Sequence, residues 1–148
     1  MSDYINKIVT LLLVFLMLVL GPLTFSYLSD EMTSKRLILN DVTTFLDKVT
    51  DQAVITDDDL NDFYLALNSH GMVLDATVTR YIATPYVGVD GKAESGYFIV
   101  DDIKELNSGD IIKVSVEEIA ISPGRRLMYY VLKVDTGKYR LDMAASVG

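Results

Sequence analysis

Residues 8–28 run for 21 positions without a charged side chain, and apolar side chains cover every helical face from Ile8 to Leu20. At about 1.5 Å of rise per residue, such a helix matches the roughly 30 Å hydrocarbon core of a bilayer. A core helix of a soluble domain keeps a polar stripe. A cleaved signal peptide has a shorter apolar run followed by small residues at the cut. The pattern therefore predicts a retained membrane helix, with Val9, Leu12, Leu13, Leu16 and Leu20 on its surface. Past Leu28 the helical period continues in amphipathic form. Leu28, Met32, Leu39, Val42, Leu46 and Val49 fall at steps of four and three, Lys35 fills the vacant place, and Ile38 and Phe45 widen the stripe. One spine helix is expected through Val49. A bend is expected at Gly21-Pro22, because Pro22 has no N–H for residue 18 and crowds its carbonyl.

Beyond the spine the pattern predicts an α+β head. Thr56 is placed as an N-cap, with Asp57, Asp58 and Asp59 in the first turn, where the helix dipole favours negative charge. Leu60, Phe63, Tyr64 and Leu67 make one helical face, and Gly71 stops the helix. The period then changes to two. Strands are expected over 73–82, 97–100, 111–121, 127–134 and 139–143. A flexible loop is expected over 86–96 and a short helical turn from Asp101 or Asp102 to Leu106. Turns are placed at Pro123-Gly124 and Thr136-Gly137. The outcome is an antiparallel sheet of about four strands with the spine laid across one face. The organisation reads as a short segment at 1–7, a membrane helix at 8–28, an amphipathic continuation at 29–52 and a globular head at 53–148.

Charge sharpens this picture. The formal net charge is −8. Residues 51–122 carry 14 acids and 4 bases, or −10, whereas residues 123–148 carry 5 bases and 2 acids, or +3. An acidic head is unsuited to nucleic acid, which binds through cations that replace its counterions. The asymmetry allows Asp57, Asp58 and Asp59 of one copy to face Arg125 and Arg126 of another. The absence of cysteine removes disulfides, thiol catalysis and thiolate metal sites together. Positive charges nearly balance across the span, with Lys7 before it and Lys35 and Arg36 after it. Because only seven residues precede the span and a domain follows, the amino terminus is expected inside and the head outside.

Catalytic patterns are sparse. His70 is the only histidine and sits at a helix end, where a structural role is expected. There is no G-x-S-x-G elbow, P-loop or G-x-G-x-x-G. Glu117 and Glu118 are adjacent in a strand and so point to opposite faces, which prevents them from converging as acid and base. The Asp57–Asp59 run has no calcium-loop spacing and is explained by helix capping. No enzyme, metal or cofactor is expected.

The segment FLDKVTDQAVITDDDLNDFYLALNSHGMVLDATV, residues 45–78, resembles the stretch after the membrane helix in pilin-like proteins. These belong to tight-adherence (Tad-type) and related type IV pilus or secretion clusters, chiefly of Gram-positive bacteria. The resemblance is carried by Phe45 and Val49, then Ile55-Thr56, Phe63, Leu67, Gly71 and Asp75. It implies a non-enzymatic, single-pass subunit whose partners are the lipid bilayer and further copies or related pilin-like subunits. On this reading the helix packs in a filament core or joins its assembly platform, through Val9, Leu12, Leu13, Leu16, Leu20, Pro22, Leu28 and Met32. Prepilins generally have a glycine before the apolar run and a glutamate inside it. Here residues 1–6 contain no glycine and residues 8–20 no glutamate, so the resemblance implies an accessory or pilin-like subunit ahead of a major pilin. The alternative is a membrane-tethered extracellular binding or adaptor module of a secretion apparatus.

Overall fold

A computed structural model describes residues 2–122, 125, 126, 129, 130, 133 and 137–148. Helix α1 (Ser2–Gln52) is followed by α2 (Asp57–Asn68) and strands β1 (Val73–Val87), β2 (Ala93–Val100), β3 (Ile111–Ala120) and β4 (Arg140–Ser146). The strands form one antiparallel sheet in the order β2-β1-β3-β4. The expected α+β architecture, a long helix on a small antiparallel sheet, is what the chain adopts.

Helix α1 runs unbroken for 51 residues, about 75 Å at 1.5 Å per residue, with Pro22 inside it. A proline costs this helix one backbone bond. Two residues on, the Thr24 hydroxyl donates to the Leu20 carbonyl at 2.6 Å. The outer half of α1 packs on the head through Ile38, Val42, Phe45, Leu46 and Val49, all buried. The face differs from the expected stripe at its lower end. Leu28, Met32 and Leu39 are exposed, while Tyr27, Glu31, Ser34 and Lys35 are partly buried in their place. Counting steps of three and four through Leu28 put the stripe on the flank of the true contact face, because polar Glu31 and Ser34 do the packing there.

Helix α2 starts as expected. The Thr56 hydroxyl accepts from the Asp59 N–H at 3.1 Å, and Asp59 Oδ2 accepts from the Thr56 N–H at 3.0 Å, a reciprocal capping box. Phe63 and Leu67 are buried, and Phe63 stacks on Phe45 with ring centroids 4.3 Å apart. Tyr64 lies at the exposed margin of that face. Gly71, at φ +74°, supplies the left-handed backbone that turns α2 into β1.

The Asp59 carboxyl is held down at about 2 by its contacts with Lys48 and then Thr56. Lys48 Nζ is 2.6 Å from Asp59 Oδ1. A carboxyl whose value falls on folding contributes stability above its unfolded value near 3.9, and that contribution fades as pH falls toward 2. The Lys48 side chain is 46% exposed, so water screens much of the pair. We expect Asp59→Asn to cost about 1 kcal/mol at neutral pH. It should also flatten the loss of stability between about pH 4 and pH 2. Urea midpoints across that window check both effects.

On β3, Ile112, Val114 and Val116 face the helices and are buried. Leu74 of β1, Ile55, Leu106 and Val147 close the same core. Three expectations for the sheet are corrected. The 86–96 loop is mostly strand: β1 and β2 pair out to Val87 and Ala93, and only 88–92 turns, closed by a Gly88 N–H to Lys92 carbonyl bond at 2.8 Å. Pro85 is tolerated because β1 pairs with β3 only as far as Tyr81 and is an open edge on that side beyond it.

The helical turn expected before Leu106 is replaced by a bent, non-helical segment. It bridges Val54 to Glu105, and Ile55 and Leu106 exchange backbone bonds with Lys104 and Ala53. The strand expected over 127–134 lies mostly outside the described residues, and β3 pairs with β4 on that side. Arg125, Arg126, Tyr129 and Tyr130 are helical. A short continuous apolar run does not distinguish strand from helix by period. The Pro123-Gly124 turn and Thr136 lie outside the described residues.

Candidate assembly surface

Among the described residues, no part of the apolar window in the first half of α1 is buried. Val9, Leu12, Leu13, Leu16, Leu20, Leu28 and Met32 are exposed apolar side chains, and Pro22 is exposed among them. Among the described residues this is the one helix long and apolar enough to cross a membrane. Such a surface is stable only against lipid tails or other apolar helices.

Where α1 leaves this segment, the head clasps it through a polar neck. Arg125 is 2% exposed and Glu118 1% exposed. Arg125 Nη1 donates to both Glu118 oxygens, at 2.6 Å to Oε1, and Nη2 donates to the Gly137 carbonyl. Glu118 also accepts from the Tyr139 N–H at 3.0 Å. From α1, Glu31 Oε1 lies 2.7 Å from Lys35 Nζ and 3.7 Å from Arg125 Nε. The Tyr27 hydroxyl meets the Ser122 hydroxyl at 3.0 Å, and the Ser34 hydroxyl donates to the His70 carbonyl at 3.0 Å. His70 Nε2 is 2.6 Å from Asp41 Oδ2, which pins the α2–β1 turn to α1. Ser69, beside it, gives its hydroxyl to the Ala66 carbonyl at 2.7 Å and stands 3.5 Å from His70 Nδ1. That arrangement closes a helix end.

Comparison with protein-family models, with curated proteins and with solved structures finds no match. The residues themselves therefore carry the functional reading.

The charged set expected to bridge copies is divided by the structure. Arg125 is occupied within its own head, and Asp59 is buried against Thr56 and Lys48. Asp57 is exposed and 3.0 Å from Lys104. Asp58 and Arg126 are exposed. Of the three aspartates, Asp59 makes the capping bond.

Two buried ion pairs escaped the sequence reading. One is Arg125–Glu118. The other is Arg80–Asp110, with Arg80 Nε 2.8 Å from Asp110 Oδ2 and Nη1 3.0 Å from the Asp102 carbonyl. A signal for both existed in the period of two. Arg80 continues the inward phase of Leu74, Ala76 and Val78, and Glu118 that of Ile112, Val114 and Val116. A charge in the inward phase of a strand marks a buried pair.

Proposed function

We propose that this chain is a membrane-anchored, pilin-like structural subunit with its head outside the cell. It assembles through its N-terminal helix into a surface filament or the machinery that builds one. The observation supporting this reading is α1: a single helix whose first half is apolar on every side and whose second half is built into the core of the head. The apolar half is not buried against any described part of the head, so lateral contact with other copies displaces none of the head's described packing. The resemblance of residues 45–78 to tight-adherence pilin-like proteins points the same way.

The chain has no cysteine, so single cysteines report contacts without background. We expect Leu12→Cys or Leu16→Cys, oxidised in native membranes, to give a dimer, and Leu12→Cys with Val14→Cys, which lie on opposite faces of the helix, together to give a ladder. Monomer alone, with no filament containing the chain in sheared surface fractions by electron microscopy, overturns assembly.

One observation favours the second reading, a tethered binding module. Beyond Tyr81 the β1–β2 hairpin stands free of β3 as a two-stranded ribbon. It exposes Tyr86, Val87, Val89, Tyr97, Phe98 and Ile99. Under that reading the fragment 30–148 retains partner binding without the membrane helix, whereas a subunit that assembles through α1 loses assembly.

A further inference from the structure

Residues 122–138 lead from β3 to β4, and both ends of this excursion are tied to α1 at one level. At its start the Ser122 hydroxyl meets the Tyr27 hydroxyl at 3.0 Å. At its return the Gly137 carbonyl accepts from Arg125, whose Nε stands 3.7 Å from Glu31. Tyr27 lies inside the uncharged run that ends at Leu28, and Glu31 lies three residues past that end. The two ties therefore span about 6 Å of the helix axis, close to the depth of one headgroup layer beside the hydrocarbon core. Between the ties the chain turns helically. The Ser122 hydroxyl accepts from the Arg125 N–H at 3.3 Å, the Arg126 N–H donates to the Ser122 carbonyl at 3.1 Å, and the Lys133 N–H donates to the Tyr129 carbonyl at 3.0 Å. Arg125 turns into the neck. Arg126, Tyr129, Tyr130 and Lys133 are spaced as one helical face, and all four are exposed, Tyr130 by 69%.

We propose that this face rests on the membrane as a second, peripheral anchor, its partner the phosphates of anionic phospholipid headgroups. Two tyrosines between two cations have the chemistry of that layer: the rings settle at the headgroup level and the cations meet phosphate. Charge makes the same selection. Residues 51–122 carry 14 acids and 4 bases, whereas residues 122–138 carry Arg125, Arg126, Lys133 and Lys138 against Asp135. Arg125 is balanced by Glu118, while Arg126, Lys133 and Lys138 are exposed and outnumber Asp30, an exposed acid of α1 near this level. An anionic surface thus attracts this foot and repels the rest of the head, which fixes the side of the head that faces the bilayer.

The inference rests on the membrane placement of α1 and not on assembly. The chain has no tryptophan, so a single introduced one reports its own surroundings without background. In the full chain reconstituted in vesicles, Leu13→Trp should be quenched by lipid brominated deep in its acyl chains. Absence of that quenching would sink the placement of α1, a failure separate from that of the foot. Tyr130→Trp should be blue-shifted, and quenched by lipid brominated near the headgroup, in phosphatidylcholine vesicles that contain phosphatidylglycerol. Without phosphatidylglycerol, or at high salt, both effects should fade. Tyr86→Trp, on the β1–β2 ribbon, should respond to neither lipid. In the Tyr130→Trp chain, the ratio of docked to free foot should fall about fivefold for each of Arg126→Gln, Lys133→Gln and Lys138→Gln, the usual share of one cation at an anionic surface. Equal signals with and without phosphatidylglycerol overturn the proposal, as does an unchanged signal when all three cations are replaced. A blue shift that follows the protein-to-lipid ratio in place of the anionic lipid would put a neighbouring head on this face and overturn it too.

Discussion

Arg125→Ala should destabilise the head by about 3–5 kcal/mol, the usual cost of leaving a buried carboxylate without its partner. Both Glu118 oxygens rest on this guanidinium, and Glu118 is 1% exposed. The Gly137 carbonyl loses its donor as well. Replacing both members, Glu118→Leu with Arg125→Leu, should recover much of the loss, because an apolar pair of similar size needs no desolvation of charge. Thermal unfolding of the full chain in mild detergent, followed by near-ultraviolet circular dichroism of its tyrosines, measures both. A single-variant loss below about 1 kcal/mol would place the Arg125–Glu118 pair among screened surface contacts.

Phe45→Ala should cost about 3–5 kcal/mol, while Leu39→Ala, six residues away on the same helix, should cost under about 1 kcal/mol. Phe45 is 6% exposed and stacks on Phe63 at the centre of the core; Leu39 is 43% exposed. The contrast tests which face of α1 meets the head. Equal costs would mean that Leu39 is covered by something outside the chain, and repeating the pair in detergent and in membranes separates the head's own packing from such a cover.

Much of the head could be read from local chemistry. Thr56 ahead of Asp57, Asp58 and Asp59 marks a helix start by sequence alone, and the Leu60–Phe63–Leu67 spacing sets the face that follows. Strand β3 showed its inward phase through Ile112, Val114 and Val116. Legibility ended where local patterns were degenerate or where the deciding partner was distant. The apolar run after Arg126 fits either a helix or a strand. The 86–96 segment reads as loop because Gly88, Gly91 and Gly96 dilute it, yet cross-strand pairing holds both arms extended. At the neck, Glu31 and Ser34 look like solvent-facing residues on a helical wheel. Only the folded chain brings Arg125 and His70 round to meet them.

In a bilayer, the continuity of α1 from the apolar segment into the head makes the head a lever. From Leu28 to Gln52 the same helix continues for 24 residues, about 36 Å at 1.5 Å per residue. A span that tilts by about 20° to suit its hydrocarbon thickness swings the far end of that arm sideways by about 12 Å. Membrane thickness therefore steers where the exposed β1–β2 ribbon stands, and a thicker or thinner patch of bilayer re-aims the head without altering a single contact inside it.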